Sequence, residues 1–295
     1  MAILVTGSNG LLGQKIVAQL LAANKSFLAT SIGPNRNPDC PNDHYRPLDI
    51  TSRNEVVDIL VTENIDVIIN TAAMTLVDAC EDEVDKCRKI NVDGVRILYE
   101  AAEEHKIFLI QVSTDFVFDG ENGPYKESDK RNPLSVYATS KRDAEDILIN
   151  GSYQEWAILR TIIVYGKGNN LSRSNIVLWA REALKEGNEL KIVDDQFRAP
   201  TWADDLAWAC IKTAELKAVG IFHISGPETF SIYELVCRIA DYYGYDKSVI
   251  KPISSSTLNQ KAKRPPKTGF DISKARETLG YQPLTIEESL KQLDS

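Results

Sequence analysis

The sequence is short of several features that would each point to a class of protein. Its five cysteines, Cys40, Cys80, Cys87, Cys210 and Cys237, are odd in number, form no C-x-x-C pair and have no histidine at metal spacing beside them. Disulfide frameworks and zinc sites need such pairs, so we read these residues as free thiols in a reducing compartment. No basic run exceeds a few residues and the formal net charge is -8, which disfavours a phosphate backbone as partner. Nucleic-acid binding is not expected. An anionic small ligand stays open, because helix N-termini and a few Arg or Lys act locally. No apolar run approaches the ~20 residues that a spanning helix needs. The opening run from Met1 to Gly7 has neither a charged leader nor a cleavage site. We therefore expect no membrane segment, no signal peptide and a cytoplasmic location.

What is present is an ordinary folding composition, with 43% hydrophobic and 26% charged residues over 295 positions. That length suits one large α/β unit carrying a smaller lobe. Short apolar runs alternate with helical patterns through the first half, the pattern of a doubly wound parallel sheet. Strands are expected at Ile3–Val5, Phe27–Thr30, near Arg46–Ile50, at Val67–Ile69, Ile107–Val112 and Trp156–Thr161. Helices are expected over Leu11–Leu21, Val56–Leu60, Glu83–His105 with an interruption at Gly94, and Tyr137–Ile149. After Tyr165 the rhythm shortens and loops rich in Gly, Asn, Pro and Ser appear. We expect a Rossmann-type domain over 1–165 plus about 203–225, and a smaller C-terminal α/β substrate lobe over about 166–202 and 226–295. No internal repeat is evident.

Between the first strand and first helix lies Thr6-Gly7-Ser8-Asn9-Gly10-Leu11-Leu12-Gly13. Gly7 permits a tight turn, Gly10 lets backbone approach a pyrophosphate, and Gly13 allows helix and strand to pack closely. The helix N-terminus then offers N–H groups to phosphates, so Asn9, Leu11 and Leu12 join the glycines as cofactor-binding residues. The second strand ends at Thr30-Ser31, where an NAD-specific site would place an acid on the ribose 2′-hydroxyl. With no acid there, Ser31 and Arg36 are candidates for a 2′-phosphate, which favours NADP(H) and leaves NAD(H) open. The alternative for Arg36 is a solvated loop. Asp49 and Ile50 are placed to meet the adenine ring, and Asn70, Ala72 and Ala73 at the fourth strand's end let backbone pass close to a flat ring.

Tyr137-Ala138-Thr139-Ser140-Lys141 puts a phenol and an ammonium one helical turn apart on one face. A phenol titrates near ~10, and a neighbouring Lys and an oxidised nicotinamide would both favour its ionised form. Tyr137 is then the proton donor to a carbonyl, and Lys141 also reaches the cofactor. Ser113-Thr114-Asp115 closes the fifth strand at the edge where α/β sheets bind ligands. Thr114 is the hydroxyl chosen to bond the substrate carbonyl, with Ser113 as runner-up and cofactor neighbour. Asn91 is either a buried polar kink near Lys141 or a satisfied helix Asn.

Together these residues resemble the extended short-chain dehydrogenases, and more narrowly the dTDP-4-dehydrorhamnose reductases. Val112 to Gly120 resembles that family's S-T-D-Y-V-F-D-G signature, Arg160 to Asn170 its R-T-S-W-V-Y…G-N-N segment, and Asp194 to Thr201 its D-Q-x-G-A-P-T. Arg264, Pro265 and Asp271 match its C-terminal R-P…D element. The resemblance implies a catalytic trio of Thr114, Tyr137 and Lys141. It implies reduction of the 4-keto group of dTDP-4-dehydro-L-rhamnose. Substrate-binding residues would be Thr114, Asp115, Phe116, Asn170, Gln196 and Arg264. Arg264, stiffened by the two prolines after it, is a candidate for the diphosphate; the alternative is a solvated basic turn. Three departures stand out: Phe116 for Tyr, Ile163 for a stacking Trp, and Arg198 for Gly. Some family members carry magnesium at a dimer interface, but no carboxylates here match that site, so we assign no metal ligand and leave magnesium and a homodimer undecided. The regulatory subunit of methionine adenosyltransferase has a similar scaffold and would mean cofactor binding without turnover. A dehydratase of this scaffold needs a Glu where Phe116 stands, which disfavours dehydration.

Overall fold

Short apolar runs become strands when both their faces can be covered, and β1 (Ala2–Thr6) illustrates how. Its alternate side chains Ile3 and Val5 enter one core cluster and Leu4 enters another, on the opposite face. All three are fully buried, worth about 1.5–3 kcal/mol each relative to exposure. The computed structural model describes residues 1–294. Strands β2 (Ser26–Ser31), β3 (Tyr45–Pro47), β4 (Val67–Asn70), β5 (Phe108–Thr114) and β6 (Trp156–Thr161) follow in the first half. In the second half come β7 (Val164–Tyr165), β8 (Leu190–Val193), β9 (Phe197–Arg198), β10 (Thr201–Trp202), β11 (Gly220–Ile224), β12 (Phe230–Ser231), β13 (Ile250–Ile253) and β14 (Lys267–Thr268).

Seven of these form one sheet in the order β11-β6-β5-β4-β1-β2-β3, every pair parallel. The winding reverses between β1 and β4, and such a switch point opens a crevice at the strands' C-terminal ends. This is the expected Rossmann-type sheet. The third strand ends earlier than expected: Pro47 has no N–H for the ladder, the Leu48 amide makes a last bond to Ser31 O at 3.0 Å, and Asp49 and Ile50 lie beyond it. There Asp49 accepts from the Thr51 amide and hydroxyl at 2.9 and 2.8 Å, opening α2 (Arg53–Thr62).

Helix α1 (Leu11–Ala22) packs Ile16, Val17 and Leu20 under the sheet. The helix expected over Glu83–His105 starts earlier and is broken differently. It runs as α3 (Val77–Asp82), α4 (Val84–Arg88), a π-helical turn at Lys89–Asp93, and α5 (Gly94–His105). The irregularity lies before Gly94, which itself has ordinary helical dihedrals. A Cβ there would meet Ile50 Cδ1 at 2.8 Å, so close packing is what asks for glycine. Helix α6 (Val136–Asn150) carries the Tyr/Lys pair and begins at Ser135, whose hydroxyl caps the Ala138 amide.

The smaller lobe has its own core, in which α7 (Ile176–Lys185), α9 (Ile232–Tyr243) and α11 (Ile286–Asp294) pack through Val177, Leu184, Val236, Ile239 and Leu290. Helix α8 (Ala203–Leu216) returns to the large sheet beside α1. The segment 270–281, with α10 (Ser273–Leu279), places Phe270, Ile272, Ala275 and Tyr281 in the large sheet's cluster, although the sequence reading gave it to the smaller lobe. No helix among the described residues is long and apolar enough to cross a membrane.

Candidate active site

A cleft of about 780 Å³ opens along the C-terminal ends of β1, β4, β5 and β6. Its first wall is the glycine turn. Gly7 has φ +68°, and a Cβ there would lie 2.7 Å from the Ala72 amide. A Cβ on Gly13 would lie 2.5 Å from Ser8 Cα, so this residue fixes how tightly α1 approaches the turn. Gly10 is exposed to the cleft, and no side chain caps the helix N-terminus behind it. Those first amides therefore face the cleft together with the positive end of the helix dipole. A dinucleotide pyrophosphate fits this cradle.

Asn9 ties the loop after β2 to that turn, donating to Pro34 O at 3.0 Å and accepting from the Arg36 amide at 2.8 Å. Arg36 and Ser31 thereby line the same end of the cleft, with Asp49 and Ile50 beside them. Leu11, Leu12, Ala72 and Ala73 line it as well. Asn70 does not. It is fully buried and spends its amide on Thr6, Gln111 and the Ala72 backbone, which makes it a support for the wall.

Farther along stand Thr114, Tyr137 and Lys141. Burial pushes the Tyr137 phenol well up; the neighbouring Thr114 hydroxyl and Arg173 work against that rise, and Asp115 adds to it. Burial brings Lys141 down to about 8, opposed by the negative charge of Glu145 one turn along α6. Its Nζ donates to Val112 O at 2.8 Å. Thr114 Oγ1 donates to Asp115 Oδ1 at 3.1 Å and accepts from the Phe116 amide at 3.3 Å. Ser113 lines the cleft but gives its hydroxyl to Glu145 at 2.6 Å. Asn91 lies in the π turn; its amide accepts from Met74 N at 2.8 Å and donates to Met74 O at 3.0 Å and Ser140 Oγ at 3.0 Å. It fastens the β4 loop to α6, and π turns recur where functional sites need such offsets.

Behind Thr114 lies a buried ionic floor. Burial raises the Asp115 carboxyl, and the Arg198 guanidinium at 3.8 Å and the Thr268 hydroxyl bonded to it oppose that rise. Arg198 also donates to Phe197 O, Pro265 O and Pro266 O, and stacks its guanidinium 5.6 Å from the Phe116 ring centre. Phe116 meets Tyr137 edge-on at 6.1 Å. Ile163 lines the cleft at φ +32°, a strained setting for a β-branched residue. The Thr201 amide holds it there by donating to both Ile162 O and Ile163 O.

The three remaining sequence candidates sit elsewhere. The Asn170 amide donates to Arg36 O at 3.0 Å, Gln196 O accepts from the Ile232 amide, and neither lines the cleft. Arg264 is also off the lining, with Nη1 and Nη2 on the Asp78 carboxylate at 3.2 and 2.8 Å. Conversely, the cleft takes in Thr75, Leu171, Ser172, Arg173, Ser174 and Asn175, none of which the sequence reading chose. The Asn before the apolar run of α7 was the available signal, since it marks a helix N-terminus close after the Gly/Asn loop. No group of three or more His, Cys, Asp or Glu among the described residues is arranged to hold a metal.

Residues 1–294 match the model of the RmlD substrate binding domain family. The chain is 34% identical to a dTDP-4-dehydrorhamnose reductase of Aggregatibacter actinomycetemcomitans, covering 99% of this chain and 97% of that one. It is 31% identical to methionine adenosyltransferase 2 subunit beta of Bos taurus, over 98% and 86% of the two chains. The solved dTDP-4-dehydrorhamnose reductase of Bacillus anthracis in complex with NADP superposes with a TM-score of 0.84 at 27% identity, over 99% and 98% of the two chains.

Proposed function

The chain belongs to the RmlD substrate binding domain family, an extended short-chain dehydrogenase fold, and on that premise we propose that it is an NADPH-dependent reductase of the 4-keto group of a nucleotide-linked deoxysugar. The substrate favoured is dTDP-4-dehydro-L-rhamnose, and the product dTDP-L-rhamnose, in the cytoplasm. The observation that carries this reading is that Thr114, Tyr137 and Lys141, the last one helical turn from the phenol, line the same cleft as a glycine cradle shaped for a dinucleotide. The Bacillus anthracis relative with NADP and the Arg36 position favour NADP(H), with NAD(H) as the second choice.

The cofactor, when bound, supplies hydride to the carbonyl carbon. Tyr137 donates its phenolic proton to the carbonyl oxygen, a step typically worth about 10²–10⁴-fold. The Thr114 hydroxyl turns from Asp115 to the same oxygen and orients it. Lys141, as an ammonium, stabilises the phenolate left behind. Phe116, Arg198 and Ile163 exclude water from that end of the cleft by packing.

The experiment is to incubate the purified chain with NADPH and dTDP-4-dehydro-L-rhamnose, or a UDP-linked 4-keto sugar, and identify the product by chromatography. Turnover of either supports the reductase, and turnover of neither removes it. The likeness to methionine adenosyltransferase 2 subunit beta supports a second reading, a cofactor-binding regulatory subunit. NADPH binding with no turnover of any keto sugar would favour it.

A further inference from the structure

A nucleotide-linked sugar brings a diphosphate, and a diphosphate in a cleft this enclosed calls for a cation. Five charged residues line the cleft: Arg36, Asp49, Asp115, Lys141 and Arg173. Arg36 stands at the glycine-turn end, its backbone held by Asn9. Lys141 is buried and donates to Val112 O. The two carboxylates repel an anion. The remaining cation that lines the cleft is Arg173, on the loop before α7, and it is exposed.

Its position is set from two sides. It precedes α7, a ten-residue helix whose own cap is Asn175. Its Nη2 donates to Thr75 Oγ1 at 2.7 Å, on the loop after β4, which lines the cleft as well. Ser172 and Ser174 line the cleft on either side of it. Among the described residues its guanidinium makes no other hydrogen bond and no ion pair, and a fork of this kind can donate to two phosphate oxygens. Arg264 offers no such fork, since Asp78 already takes both its terminal nitrogens.

Resting on the reductase reading, we infer that Arg173, and not Arg264, holds the diphosphate of the nucleotide-linked substrate, with the Ser172 and Ser174 hydroxyls as accompanying donors. Arg264 instead clasps the C-terminal loop to α3, together with Lys261 on Asp82 and the Ala262 amide on Asp78. Holding the diphosphate at Arg173 sets the sugar's distance from Tyr137, so this loop selects among sugar nucleotides.

The test titrates dTDP, and separately UDP, into NADPH-saturated wild type, Arg173→Ala, Arg173→Lys and Arg264→Ala by calorimetry. Arg173→Ala is expected to weaken whichever nucleotide binds by about tenfold to a hundredfold, the usual size of a lost hydrogen bond to a charged group. Arg173→Lys should fall between, keeping charge but losing the fork. Raising the salt should weaken wild type more than Arg173→Ala. Arg264→Ala should melt earlier and keep its nucleotide affinity. NADPH titration of each variant checks that the fold is intact. Wild-type affinity in Arg173→Ala, or a loss confined to Arg264→Ala, overturns the inference while leaving the reductase standing. If wild type binds neither nucleotide, the nucleotide-sugar reading falls and this inference with it.

Discussion

Glu145 is the residue whose removal should cost most without touching the reacting atoms. It is fully buried on α6, one turn beyond Lys141. Four bonds converge on its carboxylate: Ser113 Oγ at 2.6 Å, Arg160 Nε at 2.9 Å, Arg160 Nη2 at 2.7 Å and Arg131 Nη1 at 3.1 Å. Arg160 is 1% exposed, and beyond this pair it has Glu127 O and His223 Nε2, each at 3.3 Å. Breaking a buried pair by removing one partner typically costs ~3–5 kcal/mol, because the other charge stays buried. At roughly 2–4 °C per kcal/mol for large chains, Glu145→Ala should lower the melting temperature by on the order of 6–20 °C. Glu145→Gln keeps the shape but puts an NH₂ against an Arg donor, so it should fall between. It also removes the negative charge that supports the Lys141 ammonium, so Lys141 in that variant should lose its proton below about 8. The pH profile of kcat/KM should then shift its alkaline limb to lower pH. Thermal unfolding followed by circular dichroism reads the first effect and steady-state kinetics the second. A Glu145→Ala melting temperature within 2 °C of wild type, on the scale of ~2–4 °C per kcal/mol, would refute the argument that this pair anchors the catalytic helix.

Two further outcomes are expected. Arg36→Ala should weaken NADPH selectively over NADH in fluorescence titrations, since Arg36 is the cleft's cation at the glycine-turn end; equal losses for both would remove its 2′-phosphate role. Lys141 is held at about 8, below its ordinary 10.5, so between those values the unfolded chain binds the extra proton and stability rises with pH. Apoprotein melting across that window should therefore rise more steeply in wild type than in Lys141→Met, and parallel slopes would contradict the burial of that ammonium.

What could be read in the sequence was what is local. The glycine turn, the Tyr137/Lys141 spacing and the alternation of strands and helices each depend on residues a few positions apart, and the structure gathers them at one cleft. Partners far apart in the chain were not legible, because side-chain periodicity encodes which face is buried and not what will meet it. Arg264 illustrates this: as a basic residue before two prolines it suggested an anion site, yet its partner is Asp78, 186 positions away. Arg198 likewise stood out only as a departure from a glycine, while its contacts with Asp115 and with Pro265 and Pro266 come from two distant segments. Gly94 suggested a broken helix, but the irregularity is the π-helical turn just before it, where the Asn91 amide takes the Met74 backbone.

The central claim is that Tyr137 protonates a keto sugar at this cleft. The direct measurement is NADPH oxidation by wild type and Tyr137→Phe with dTDP-4-dehydro-L-rhamnose as acceptor. The change removes one oxygen from a buried phenol, so fold and NADPH affinity should persist. Turnover should fall about 10²–10⁴-fold, the usual share of a general acid. A Tyr137→Phe variant turning over at close to the wild-type rate would contradict the account.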